Sequence, residues 1–270
     1  MNALNFGFGV VEADLWRLIF VMTRIGAALL AAPLFGAASI PVQVRISLAG
    51  AIAVFILAWT PVETPTELLS VAAFTALVGE AIIGVALGFT LQISFAAVVM
   101  AGEQIAGAMG MAIATAIDPN SGAQSGALGQ YFTVVLTLVF LAVGGHLTWL
   151  RLVIESYHAF PPGQAWFGAD RAWIVAGFAG QAFATAVAIA LPVMLVLFLV
   201  QLVTGVLSRS APSLNLFALG LPAGVLAGIA ALIAAAPFTT EQFVSLSETA
   251  IEHTAEVIAP GLIAPELIAS

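Results

Sequence analysis

The chain has 270 residues, of which 62% are hydrophobic and 7% charged, and its net charge is −8 at neutral pH. Soluble domains carry about 25% charged residues, so this composition belongs to a polytopic membrane protein. All six cations are arginines and cysteine is absent, which excludes a basic nucleic-acid face, a disulfide framework, a thiolate metal site and a cysteine nucleophile.

Six apolar runs follow in order, at about 15–36, 46–60, 68–101, 131–154, 172–207 and 214–238. A bilayer crossing needs roughly 20 residues. The second run is short, and the third and fifth are over-long. Such lengths fit helices packed in a larger assembly better than a plain lipid-facing bundle.

Glu12 and Asp14 precede the first run, where a secretory signal would carry positive charge, so the first segment is expected to be retained. Arg17 is placed to snorkel. Arg24 lies deeper, where a charge must face protein or water, as a pore-lining, subunit-pairing or buried paired residue. Pro33 and the stretch 36–41 end this run, and Pro61, Glu63, Pro65 and Glu67 mark a short acidic loop.

The third run carries Glu80, read as a structural acid paired with an arginine or with backbone donors. The competing reading is a proton-relay carboxylate, but no second carboxylate or histidine lies at helical spacing beside it. Gly84 and Gly88 are four apart, as are Gly122 and Gly126, and Gly224 and Gly228, a spacing that lets membrane helices approach closely.

The stretch 101–130, AGEQIAGAMGMAIATAIDPNSGAQSGALGQ, is the one around which the chain is organised. It is small and apolar over 107–117 and polar over 118–125. Water suits the first part poorly. Lipid suits it no better, because glycine-rich irregular backbone exposes amides that lipid cannot satisfy. A protein-lined cavity is the remaining place. Met109 and Met111 supply soft bulk that fills irregular gaps.

Beyond it, Pro161, Pro162 and Gly163 form a loop with Trp149, Tyr157, Trp166 and Trp173 around it, which reads as an interfacial aromatic belt. Pro192 should kink the fifth run. Residues 208–213 form a tight connector. The tail over 239–257 predicts an amphipathic helix with Phe243, Leu246, Ala250 and Val257 on one side. The isolated histidines His146, His158 and His253 form no metal motif. Neither GxSxG nor GxxxxGK[ST] occurs, so no catalytic site, cofactor or nucleotide site is expected.

Several of these features fall together in one order. Arg24-Ile-Gly, Pro33-Leu-Phe-Gly36, Pro41 and Arg45 come first. Gly79-Glu80, Gly84 and Gly88 follow. Then come Ala101-Gly102, Gly107, Met109-Gly110 and Asp118-Pro119. Last are Ser208-Arg209, Pro212, Asn215, Phe217, Gly220 and Pro222. This order, over about residues 10–240, resembles the FliR-like family of type III export-gate proteins, whose injectisome members share it. Ser213 departs from it where glutamine is expected.

The resemblance implies an all-α membrane protein of about six hydrophobic helices, some long and kinked, arranged as hairpins within a larger helical hetero-oligomer. It implies a FliP-like portion with the central loop over 1–130, middle helices over 131–207, and a last hairpin arm with an acidic tail over 208–270. The implied partners are FliP, FliQ, FlhB and FlhA, with unfolded export substrates in transit and membrane lipids around. The implied place is the bacterial inner membrane, in the flagellar basal body. The plug or gating loop is expected at Gly107, Met109, Gly110, Met111, Ala112 and Ile113, anchored by Glu103, Asp118 and Pro119. Subunit packing is expected at Arg24, Glu80, Gly84, Gly88, Arg209, Pro212 and Asn215. The alternatives are the injectisome homologue of the gate and a secondary transporter of a small solute built on Glu80 and Arg24.

Overall fold

The computed structural model describes residues 10–59, 70–111, 126–163, 168–210 and 216–259. Among them are seven helices and no strand: α1 Val10–Ala31, α2 Val42–Trp59, α3 Val71–Ala108, α4 Ala127–Ala142, α5 Gly145–Ala159, α6 Ala169–Ser210 and α7 Leu216–Ile258. The all-α class is the expected one.

The tally of spans differs from the six apolar runs. Helices α2, α3, α6 and most of α7 are long and apolar enough to cross a membrane. Helix α1 carries Glu12, Asp14, Arg17 and Arg24 and does not qualify by composition. The fourth run is broken into α4 and α5, which meet at 71° and form a fifth candidate span only as a pair. The break is at Gly144, whose φ of 74° lies in the left-handed region that glycine enters without a Cβ penalty. The sixth run and the expected tail helix are one continuous helix, α7. Helix α6 continues through Pro192, which lacks the amide that would bond the preceding turn.

The chain divides into two compact units, each discontinuous in sequence. The first comprises Met1–Ile93, Gly144–Ala179 and Thr249–Ser270. Its core is built by α1, the first part of α3, α5 and the end of α7, with Phe20, Ile25, Leu29, Ile83, Leu87, Trp149 and Leu152 buried. Helices α1 and α3 cross at small residues. A Cβ added to Gly84 would meet the Arg24 carbonyl, and lie 2.9 Å from Ala27 Cβ; one added to Gly88 would meet the Ala28 carbonyl and lie 2.7 Å from Ala31 Cβ. Glycines on α3 facing alanines on α1 let two backbones touch, which gives apolar helices the dispersion contacts that hold them together without help from water.

Trp149 and Tyr157 are not part of an interfacial belt. Both are buried on α5, and each spends its polar tip on a helix carbonyl: Trp149 Nε1 donates to Leu87 O at 2.9 Å, and Tyr157 Oη to Val21 O at 2.7 Å. Trp173 is 76% exposed, and Trp166 lies outside the described residues. The turn after α1 is cinched by Arg45, in the first turn of α2. Its guanidinium donates to the carbonyls of Phe35 at 2.8 Å, Gly36 at 3.3 Å, and Ala37.

The second unit comprises Ser94–Val143 and Gly180–Glu248. The last turns of α3, α4, most of α6 and most of α7 build it. Phe95 meets Phe140 edge-on at 6.4 Å, and Phe132 meets Phe243 edge-on at 5.5 Å, the arrangement that ring quadrupoles favour.

Candidate functional site

Helix α3 runs on through 101–108, so Gly107 is helical and not part of an irregular loop. Local glycine content predicts the opposite. The alternation of buried Ala101, Ile105 and Ala106 with exposed Glu103 and Gly107 keeps one face packed, and packing overrides propensity. The helix stops at Gly110, whose φ is 83°. The Met111 amide bonds Ala106 O at 3.0 Å, and the Gly110 amide bonds Gly107 O at 3.0 Å. These two bonds are the Schellman arrangement, with Gly110 at the position after the cap.

That termination satisfies the carbonyls of Ala106 and Gly107 and leaves Ala108's open. Gln201 on α6 takes it, with Nε2 donating to Ala108 O at 2.8 Å. Met109, 4% exposed, turns into the groove made by Gly224 and Gly228 on α7. A Cβ at Gly228 would lie 2.6 Å from Met109 Cγ and 2.8 Å from both Cε and Sδ. The spacing read as a helix–helix contact therefore houses a side chain instead. Beside it lies a cavity of about 330 Å3, lined by residues that include Met109, Leu197, Gln201, Thr204, Leu221 and Gly224. Thr204 turns its hydroxyl back to Gln201 O at 3.0 Å.

The other end of the central stretch is held as well. Glu103 accepts a hydrogen bond from the Gly126 amide at the start of α4, a helix whose own cap residue has no side chain to offer. At the same level α3 and α4 touch through backbone. A Cβ on Gly102 would lie 2.8 Å from both N and Cα of Gly129.

In the first unit, Arg24 and Glu80 form a buried pair within the chain, with Nε to Oε2 at 2.7 Å and relative exposures of 0% and 1%. The remaining guanidinium donors reach Ser156 O at 2.9 Å, Ser156 Oγ at 3.2 Å and Phe160 O at 2.7 Å, and the group lies over the Tyr157 ring at 4.1 Å. The second Glu80 oxygen accepts from the Gly163 amide at 3.1 Å. A fully partnered charge pair is the condition under which burial is tolerated, and Arg24 also closes the C-terminal carbonyls of α5. Arg24, Glu80, Gly84 and Gly88 thus pack against their own chain.

Of the other sequence-selected residues, Arg209 is exposed in the last turn of α6. Ala112, Ile113, Asp118, Pro119, Pro212 and Asn215 lie outside the described residues. Gln201 is the functional candidate that sequence reasoning missed. Its signal was an amide inside a largely apolar run that also holds Gln181, a residue type that seeks a partner across a membrane-helix contact.

The comparisons with known proteins converge. Residues 15–250 match the family described as bacterial export proteins, family 1. The chain belongs to this export family. It is 32% identical to the flagellar biosynthetic protein FliR of Escherichia coli K12 over 222 residues, covering 82% of this chain and 83% of that one. Similarity to FliR of Bacillus subtilis is 34% over 208 residues, covering 76% and 80%. For FliR of Pectobacterium carotovorum the figure is 32% over 209 residues, covering 77% and 80%. The export-family chain is a multi-pass membrane protein of the flagellar export apparatus, and its match spans both the buried charge pair and the α3 terminus.

Proposed function

We propose that this export-family chain is a subunit of the flagellar type III export gate in the bacterial inner membrane, and that it joins FliP and FliQ in the protein-conducting channel, with FlhB and FlhA as further partners. It acts as a conduit component and not as an enzyme. The segment from Gly107 through Met109, Gly110 and Met111 to Ala112 and Ile113 is the closure at rest, and an unfolded substrate displaces it.

The observation that carries this reading is the end of α3. A helix terminates on a left-handed glycine, and the methionine before that glycine fills a glycine-lined groove beside a cavity. Hydrophobic constrictions gate by excluding water, and thioether side chains suit them. The secondary-transporter reading is disfavoured by the saturation of Arg24 and Glu80 with partners from their own chain, which leaves neither free to bind a solute. The flagellar names of the relatives favour the flagellar system over the injectisome.

Deleting residues 110–113 tests the closure. The expected outcome is leakage of ions and small molecules through an assembled gate. A tight membrane with normal secretion removes the closure from the reading.

A further inference from the structure

The two roots of the central stretch are 15 positions apart in sequence, and the fold fixes them separately. The first is tied to α6 and α7 by Gln201 and Met109. The second is tied to α3 itself. Glu103 stands on the exposed side of α3, one residue after the backbone contact between Gly102 and Gly129. Its carboxylate lies against the first turn of α4. It accepts the Gly126 amide, and a Cβ on Gly126 would lie 3.1 Å from both carboxylate oxygens. A Cβ on Gly129 would lie 2.8 Å from Oε1. Gly126 and Gly129 are therefore small because a carboxylate occupies the space beside them. Helix α4 begins with orphan amides and a positive dipole end, and the Glu103 carboxylate meets that end at the Gly126 amide. Val99, one turn before Glu103, closes the other side, with Cγ1 at 3.4 Å from the Gly129 Cβ position.

We infer that Glu103 is a positioning residue, a static clamp that holds the start of α4 on α3 and so keeps the two roots of the central stretch in register in both the shut and the conducting gate. The inference rests on the closure reading proposed above. The close backbone contact of Gly102 and Gly129 argues that the clamp does not open in the cycle, since parting it would break a packed crossing together with the hydrogen bond.

The test uses the full chain in the assembled gate. Because the chain has no cysteine, Glu103→Cys with Gly126→Cys makes a unique thiol pair. Joining that pair with a short bis-methanethiosulfonate, which forms a disulfide with each thiol and releases two sulfinates, is expected to leave secretion at the unlocked rate. Arrest of secretion by the crosslink overturns the static clamp. Glu103→Ala is expected to raise small-molecule leakage several-fold at unchanged assembly yield, and Glu103→Gln, whose amide oxygen still accepts from Gly126, is expected to restore the barrier. Unchanged leakage in Glu103→Ala, in a gate that deletion of 110–113 does make leak, overturns the positioning role.

Amide exchange at 126–129 separates this from failure of the closure reading. Faster exchange in Glu103→Ala than in Glu103→Gln is the expected result whether or not deletion of 110–113 leaks. Equal exchange in the two variants overturns the clamp even where the closure holds.

Discussion

Arg24 sets the strictest demands of any residue in the chain. Four hydrogen bonds from its guanidinium reach a carboxylate, two backbone carbonyls and a hydroxyl, and the side chain is out of contact with solvent. Lysine supplies a compact charge with a different donor geometry and cannot copy that fork. Glu80→Ala is expected to lose about 3–5 kcal/mol of stability, because it leaves a buried guanidinium uncompensated. Arg24→Lys is expected to lose less, because the charge stays and only the fork of donors is lost. Thermal melting in detergent measures this. Replacing both by methionine should recover part of the loss and not all of it, because the Phe160 carbonyl loses its Arg24 donor and the Gly163 amide its Glu80 acceptor, while the Ser156 carbonyl keeps the Phe160 amide.

The glycines divide by what they touch. At Gly84 and Gly88 an added methyl meets backbone carbonyls of α1, which cannot yield without moving the helix. At Gly228 it meets the flexible end of Met109. Gly88→Ala should therefore destabilise by about 2–3 kcal/mol, and Gly228→Ala by about 1 kcal/mol, the spread expected of overpacking at rigid and yielding sites. Gly228→Ala should also expel Met109 and raise leakage, which a dye-uptake assay reads directly.

At the scale of elements, the termination of α3 is the feature on which the proposed function depends. A right-handed helix ends there because Gly110 takes a conformation that costs an L-residue about 1–2 kcal/mol. Gly110→Ala adds contact with Leu221, whose Cδ2 would lie 2.7 Å from the new methyl. The expected result is a helix end that frays or extends, with faster amide exchange at Met109 and Met111 and impaired closure, while the Arg24 region keeps its protection. Gln201→Leu is isosteric enough to keep α6 packed but leaves Ala108 O open. It should cost about 1 kcal/mol and loosen the same end. The α4–α5 bend and the α3 stop share one cause. Each places a glycine at positive φ where the chain must leave a helix.

At the scale of the whole molecule, the described residues expose many large apolar side chains, which lipid or other subunits must cover. Helix α6 alone exposes Leu195, Phe198, Leu202 and Val206, and α7 exposes Leu226 and Ile233. The expectation is that a tagged chain, purified in gentle detergent, brings FliP- and FliQ-like partners with it. Recovery of a well-behaved monomer alone counts heavily against the gate.

Much of this was legible from residues alone. Composition declared a multi-pass protein because lipid admits few charges. The tail's spacing of Phe243, Leu246, Ala250 and Val257 declared a one-sided helix, and all four are buried. The order of motifs pointed to the export family because each is a place where backbone or charge has few alternatives. Tertiary structure alone decided the partners. Arg24 lies 56 positions from Glu80, Gln201 lies 93 from Ala108, and Trp149 lies 62 from Leu87. Local pattern states that a buried charge or amide needs an answering group, since an unanswered one is costly in a medium without water. Which group answers depends on how helices far apart in sequence come to lie side by side, and no window along the chain contains that distance.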